Sequence, residues 1–283
     1  MKFGAHIGCK GRYREPTKSK NAPSAFEYGD RVSDSICEWL KAGYAAGPFE
    51  FEEIPENAKI SGLMVKLKPT EKARLILNLS APKGSCVNED IDKMDYPAKM
   101  TSTVTVKFVR ILNKCGRNCQ FVKVDWAAAY KQIRVHEVDH SLQYFEWLGR
   151  HFLELCLIFG GVSSVGIYDR FAKMVLYIVL VQSGMPPSLV VQQIDDVVAC
   201  GPPDGKLVEQ FDRKYYEVAD KSFAPTNKSQ VLGVWYDSKS WTWWISDEKM
   251  TIILNMLKDL ICTDKCEQWF YGKYVVNSWK VQY

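Results

Sequence analysis

What the chain lacks narrows its class first. No apolar run approaches the roughly 18–20 residues that span a bilayer. The longest candidate, Met174 to Val181, gives way to Gln182 and then to Pro186-Pro187. The N-terminus, MKFGAHIGCKGRYREP, has no apolar core of the kind a secretory signal needs. A secreted disulfide framework is missing too, because the nine cysteines are odd in number and irregular in spacing. These absences point to a soluble intracellular chain, cytoplasmic or nuclear, whose cysteines are mostly buried thiols. Two C-x3-C pairs, Cys115/Cys119 and Cys262/Cys266, could bind zinc only if they met in space, and their spacing is loose for zinc ligands. Internal repeats and low-complexity stretches are also lacking.

What is present fits an ordinary globular protein. The 283 residues are 47% hydrophobic and 25% charged, enough for a packed core and for one large or two modest domains. Net charge is only +4, from 37 basic and 33 acidic residues, which decides nothing about nucleic acid. Local distribution says more. The first twenty residues carry six basic side chains (Lys2, Lys10, Arg12, Arg14, Lys18, Lys20) against one acid, Glu15. Lys66, Lys68, Lys72 and Arg74 form a second basic group. Each group reads either as a solvated face or as a phosphate contact.

Along the chain, residues 1–25 read as a basic, extended arm. Val32, Ile36, Trp39 and Leu40 recur at helical spacing within 26–46, and Gly43 and Gly47 close that helix. ISGLMVKLK and RLILNLS, joined by PTEKA, predict a hairpin over 60–79. QFVKVD (120–125) alternates and ends on an acid, and WAAAYKQIRV can turn into a short helix. LQYFEWL and HFLELCL predict a second hairpin around Gly149-Arg150. Gly160-Gly161 and Ser163-Ser164 open a long helix that Gly184 and two prolines end. A helix over 204–219 has Asp204 as its N-cap. Strands VLGVWYD and WTWWIS follow, and a helix from Asp247 to Leu260 ends the pattern. Without a regular βαβ repeat, this order predicts an α+β fold with a largely antiparallel sheet covered by helices on one face.

Three acids stand out in that pattern. Asp125 ends FVKV, and Asp195-Asp196 sit in LVVQQIDDVVAC (189–200). The latter is either a tight hairpin with two carboxylates at its tip or one strand with two acids in its middle. The second option buries charge in a sheet, at high cost. An Asp-Asp pair by itself is equally at home in a plain turn. If the two strands are neighbours, the three carboxylates converge and repel one another unless a cation intervenes. Hard oxygen donors favour Mg2+ or Mn2+. Two such ions about 3.5–4 Å apart can activate a hydroxyl and neutralise a leaving pyrophosphate, as nucleotidyl transfer requires.

The segments VDWAAAY (124–130), LIFGGVSS (157–164), QIDD (193–196) and VLGVWYD (231–237) occur in the order and spacing of reverse transcriptases. NAPSAFEYGD (21–30), AGYAAGPF (42–49) and RLILNLSAPKGSCVNEDI (74–91) sharpen the match. Over nearly its whole length the chain resembles the reverse transcriptases of DIRS-type tyrosine-recombinase retroelements. That resemblance implies an RNA-directed DNA polymerase with a right-hand fold. A basic arm and helix would occupy 1–60, the fingers 61–120, and the palm 121–236 with a fingers contribution near 142–160. A partial thumb or connection would occupy 237–283. The palm would be an antiparallel sheet backed by helices.

The resemblance also implies roles. Asp125 and Asp195 would be metal ligands and Asp196 a less directly ligating neighbour, with two Mg2+ or Mn2+ ions as cofactors. The Trp126 carbonyl would assist. Tyr130 would be the steric gate that excludes a ribose 2′-hydroxyl, although a core aromatic would read the same. Phe159 and Gly160 would pack against the incoming nucleotide and template, and Arg74 would grip the triphosphate. Lys66 and Lys68 flank the family's lysine position without aligning to it. Lys228 would protonate the leaving pyrophosphate, and Leu232-Gly233 would turn the primer grip. The implied partners are a template–primer duplex of RNA or DNA and a dNTP, with no membrane. The 47 residues after Tyr236 leave no room for a ribonuclease H or recombinase domain, so a polyprotein fragment or truncated copy is expected.

The sequence departs from the family at Gln193, Ile158, Ser164-Val165 and Trp126. These departures favour, as the alternative, a catalytically impaired, truncated reverse-transcriptase-like protein that binds nucleic acid. An RNA-dependent RNA polymerase shares the palm, and Tyr130 and the Phe-Gly segment argue against it.

Overall fold

A computed structural model describes residues 3–12, 15–67, 73–98, 104–126, 128–219, 225–231 and 233–262. In chain order, β1 (Thr17–Lys18), α1 (Pro23–Glu27) and α2 (Gly29–Lys41) precede β2 (Ala45–Phe49), β3 (Lys59–Leu67) and β4 (Ala73–Asn78). Then come α3 (Val104–Cys115), β5 (Gln120–Asp125), β6 (Tyr144–Trp147), β7 (Arg150–Glu154) and α4 (Ser164–Ser183). β8 (Val190–Gln193), β9 (Asp196–Gly201), α5 (Lys206–Ala219), β10 (Lys228–Val231), β11 (Val234–Asp237), β12 (Thr242–Ile245) and α6 (Asp247–Cys262) complete the order. No helix among the described residues is long and apolar enough to cross a membrane. The fold is mixed α+β. It divides into two units, residues 1–98 with 128–171, and residues 99–127 with 172–283.

The first unit is built on a sheet ordered β1-β3-β6-β7-β2, with β4 paired to β3. The hairpins β3/β4 and β6/β7 are antiparallel, as their alternation predicts. The pairings of β1 and β6 with β3 are parallel, joining segments far apart in sequence. Leu63, Leu77 and Phe145 are fully buried in this unit.

Within the N-terminal arm, Gly11 and Arg12 are both held by one buried acid. The carboxylate of Asp90, 4% exposed, accepts from the backbone N–H of Gly11 (2.8 Å) and of Arg12 (3.0 Å), and from Arg12 Nε (2.9 Å). Burial works to raise this carboxyl, but the Arg12 side chain and the two N–H groups outweigh it and hold it below its usual 3.8. Asp90→Asn places an amide NH2 among donors and is expected to cost about 1–3 kcal/mol. Faster amide exchange at Gly11 and Arg12 is the readout. In the wild type this contribution is present above the usual carboxylate value and is lost as pH falls through the lowered one.

The second unit holds two three-stranded antiparallel sheets, ordered β5-β9-β8 and β10-β11-β12. Phe121, Val122, Val124 and Val197 to Cys200 are almost wholly excluded from solvent. α3 packs on β8 and β9, and α5 on β5 and β9. Each helix presents an apolar stripe, Val104, Phe108, Ile111 and Leu112 on α3, and Val208, Phe211 and Tyr215 on α5. Phe108 meets Phe121 and Tyr236 edge-on, at 5.6 and 5.0 Å between centroids. The segment VLGVWYD is two strands rather than one. Val231 closes β10, Val234 opens β11, and the two residues pair across the turn. Gly233 sits there at φ +84°, a conformation that L side chains rarely adopt.

Candidate functional site

The three acids converge at one edge of the second unit's β5-β9-β8 sheet. β5 and β9 pair antiparallel in a register that sets Asp125 directly across from Asp196, so both Cβ atoms leave the same face. β8 and β9 form the hairpin, with Gln193 across from Asp196 and the turn made by Ile194 and Asp195. The desolvation argument thus picked the correct alternative. Ile194 adopts φ +56°, a left-handed conformation uncommon for a β-branched residue. Gln192 Nε2 donates to the Ile194 carbonyl at 3.2 Å.

The electrostatics carry the mark of that convergence. Burial pushes the Asp195 carboxyl above its usual value of 3.8, and the charges of Asp196 and Asp125 push it further. Asp196 is not left to this repulsion alone. Lys123, two residues before Asp125 on the same strand face, reaches it with Nζ at 2.9 Å from Oδ1. Among the described residues no group of three or more His, Cys, Asp or Glu side chains is gathered into a metal cage. The donor chemistry suits a hard divalent cation: carboxylate oxygens whose charges disfavour one another. Among the described residues, Lys123 supplies the positive charge seen against Asp196.

Trp126, beside the first acid, turns its ring away from a ligand role. It is 7% exposed, and its Nε1 donates to the Tyr215 hydroxyl on α5 at 2.7 Å. That leaves the backbone carbonyl as the group the resemblance singles out. Lys228 lies at the start of β10 with Nζ 5.0 Å from the Trp244 ring centroid. Trp244 in turn stacks on Trp235 at 5.8 Å and 4°. Cys115, Cys119 and Cys200 form a thiol cluster, and contact with the other two thiols together with burial pushes the Cys200 thiol up. The sequence pairing of Cys115 and Cys119 did not reveal Cys200. Cys266, Lys68 and Leu232 lie outside the described residues.

Four residues assigned to nucleotide binding come together in the first unit. The Arg74 guanidinium lies 4.2 Å from the Phe159 ring centroid. Phe159 meets Tyr130 edge-on at 4.7 Å, and Tyr130 meets Tyr168 at 5.4 Å. Tyr130 is 8% exposed and Phe159 36%, so the Tyr130 ring is mostly covered and the Phe159 ring is open. Gly160 follows at φ +104°, and a Cβ there would sit 3.0 Å from the Leu77 carbonyl oxygen. Lys66 pairs with Arg74 across the β3/β4 hairpin.

Asn88 fixes the Phe-Gly turn, a role sequence reasoning missed. Its Nδ2 donates to the Gly160 carbonyl and to Ser80 Oγ, both at 2.8 Å, and its Oδ1 accepts from Val162 N–H at 2.9 Å. The only sequence signal was its place within the quoted segment 74–91. Ile158, one of the departures from the reverse-transcriptase pattern, is buried at 3% exposure.

Solved structures of known proteins share this architecture. The foamy viral protease-reverse transcriptase in complex with an RNA/DNA hybrid matches with a TM-score of 0.66 at 14% identity, over 90% of this chain and 32% of that one. A foamy viral protease-reverse transcriptase dRH in complex with double-stranded DNA matches at 0.63 and 15%, over 90% and 41%. Another complex with double-stranded DNA matches at 0.63 and 13%, over 92% and 52%. No family model and no curated protein matches the chain. The chain has a reverse-transcriptase-like fold and spans from about a third to about half of these neighbours' length.

Proposed function

We propose that the chain is the RNA-directed DNA polymerase domain of a retroelement, of the DIRS type that its motifs resemble. The observation that carries this reading is the pairing of Asp125 with Asp196 and the placing of Asp195 at the adjoining hairpin tip. The reverse-transcriptase-like fold supports it. The neighbours bound to double-stranded DNA and to an RNA/DNA hybrid support a template–primer duplex as partner. The right-hand division into arm, fingers, palm and partial thumb belongs to the same proposal, as does an intracellular location.

In this reading Asp125 and Asp195 would hold two Mg2+ or Mn2+ ions, with Asp196 as a less direct ligand. Such ions supply Lewis acidity, lowering the pKa of a primer 3′-hydroxyl and neutralising the departing pyrophosphate. Arg74 binds the triphosphate as a fork of donors, and its stacking on Phe159 pre-sets the guanidinium plane. Tyr130, backed by Tyr168, presents a rigid edge against a 2′-hydroxyl. The Phe159 ring offers an apolar face to the base. Lys228 gives a proton to the leaving group.

Magnesium-dependent primer extension on an RNA template tests the reading, and synthesis that does not require a divalent ion would sink it. Tyr130→Ala is expected to raise ribonucleotide incorporation relative to deoxynucleotide by about tenfold or more, the scale of one lost steric contact. Unchanged sugar selectivity removes the gate role.

A second reading, nucleic-acid binding without catalysis, is favoured by Lys123 standing against Asp196. Template binding that weakens with salt, without any synthesis in magnesium, would decide for it.

A further inference from the structure

We propose that Lys123 is a positioning residue that holds Asp196 as a tethered cation and competes with a divalent metal ion for that carboxylate. The inference rests on the polymerase reading and assigns regulation of its metal site to a side chain outside the motif acids. Lys123 and Asp125 share one face of β5, and Asp196 lies across from Asp125 on β9. Lys123 itself pairs with Val198, so its ammonium reaches Asp196 along the diagonal. That is a reach suited to a long side chain. Both side chains are partly sheltered, at 27% and 29% exposure. The pair therefore neutralises one of three converging carboxylates before any ion arrives. A divalent cation that takes Asp196 must first part it from Lys123. When it does, the ammonium is left beside the carboxylate edge, free to meet an incoming phosphate.

A plain surface ion pair makes a different prediction: its loss changes stability slightly and metal affinity not at all. Manganese binding to the full chain, followed by electron paramagnetic resonance and calorimetry without nucleic acid, separates the two. Lys123→Met is expected to bind Mn2+ about two- to fivefold more tightly than wild type, the scale of a partly exposed ion pair. Lys123→Arg keeps the charge and is expected to stay near wild type. Lys123→Gln serves as a second neutral variant, with thermal melts confirming that each protein is folded. The half-saturating magnesium concentration in primer extension should shift in the same direction as the manganese affinity.

If wild type binds Mn2+ and Asp195→Asn abolishes that binding, yet neither neutral Lys123 variant tightens it, the competition is disproved and the polymerase reading stands. If no protein binds Mn2+ at these acids, the metal reading itself fails, and the Lys123 proposal fails with it.

Discussion

Asp195→Asn is expected to reduce primer extension by about 10³-fold or more while leaving the fold as stable as wild type or slightly more so. On the proposed polymerase reading, the rate effect follows from the loss of a charge that would face the developing phosphate chemistry. An electrostatic contribution of about 4 kcal/mol corresponds to three factors of ten. The stability effect runs the other way because burial and the neighbouring charges of Asp196 and Asp125 raise this carboxyl. With the folded value above the unfolded one, ionised Asp195 costs stability. That cost is absent below the usual value of 3.8 and grows as pH rises through the raised one. The asparagine variant should therefore melt above wild type at neutral pH, and the gap should close on acidification. Melting curves at several pH values beside the extension assay check both halves. A variant that is both inactive and unstable would mean that Asp195 is structural.

Lys131→Met is expected to destabilise the first unit strongly. Glu154 is completely buried and pairs with Lys131, whose ammonium also lies 3.7 Å from the Trp39 ring centroid. Glu154 Oε1 accepts from the Cys156 N–H at 3.2 Å. Its main-chain carbonyl is bonded by the buried Gln143 Nε2 at 2.7 Å. Burial raises the Glu154 carboxyl and lowers the Lys131 ammonium, so desolvation opposes the pair from both sides. Removing one partner leaves a carboxylate with no cation in an apolar setting, at a cost of about 3–5 kcal/mol. The double replacement Lys131→Met with Glu154→Gln removes both charges and should recover most of that loss. In the single variant Glu154 titrates above its usual 4.5, so the protein is less stable at about pH 8 than at about pH 5. Urea melts of the wild type and the single and double variants form a cycle that measures the pair. A single variant as stable as the double contradicts the burial argument.

Much of the site was legible because its signals are local. Alternation in QFVKVD, and the cost of burying two acids in mid-strand, were enough to place Asp125 at a strand end and Asp195 at a hairpin tip. The family likeness supplied Arg74, Tyr130 and Phe159, and the structure shows them in contact. Other features depend on long-range pairing, which leaves no local trace. The parallel pairing of β3 with β6 joins Ile60 to Tyr144, and the hydrophobic pattern of either strand alone fits many partners. Trp126 stood out in the sequence only as a departure from the family pattern, and only the position of Tyr215 on α5 reveals where its ring goes. Lys123 was a polar residue in an alternating strand until the β5/β9 register brought Asp196 within its reach. Gly233 was the one local signal that VLGVWYD turns back on itself.

Each of the two units is assembled from two separate stretches of chain, so the backbone passes from one to the other after residues 98, 127 and 171. On a ribosome, the opening 98 residues have to wait until residue 171 has been made before their unit is whole. α3 and β5 must likewise idle until β8 and β9 emerge to cover them. Such delayed closure favours slow folding and a long exposure of apolar strands. No cut at a single peptide bond yields either half intact, and attempts to produce one alone should splice its two stretches directly together.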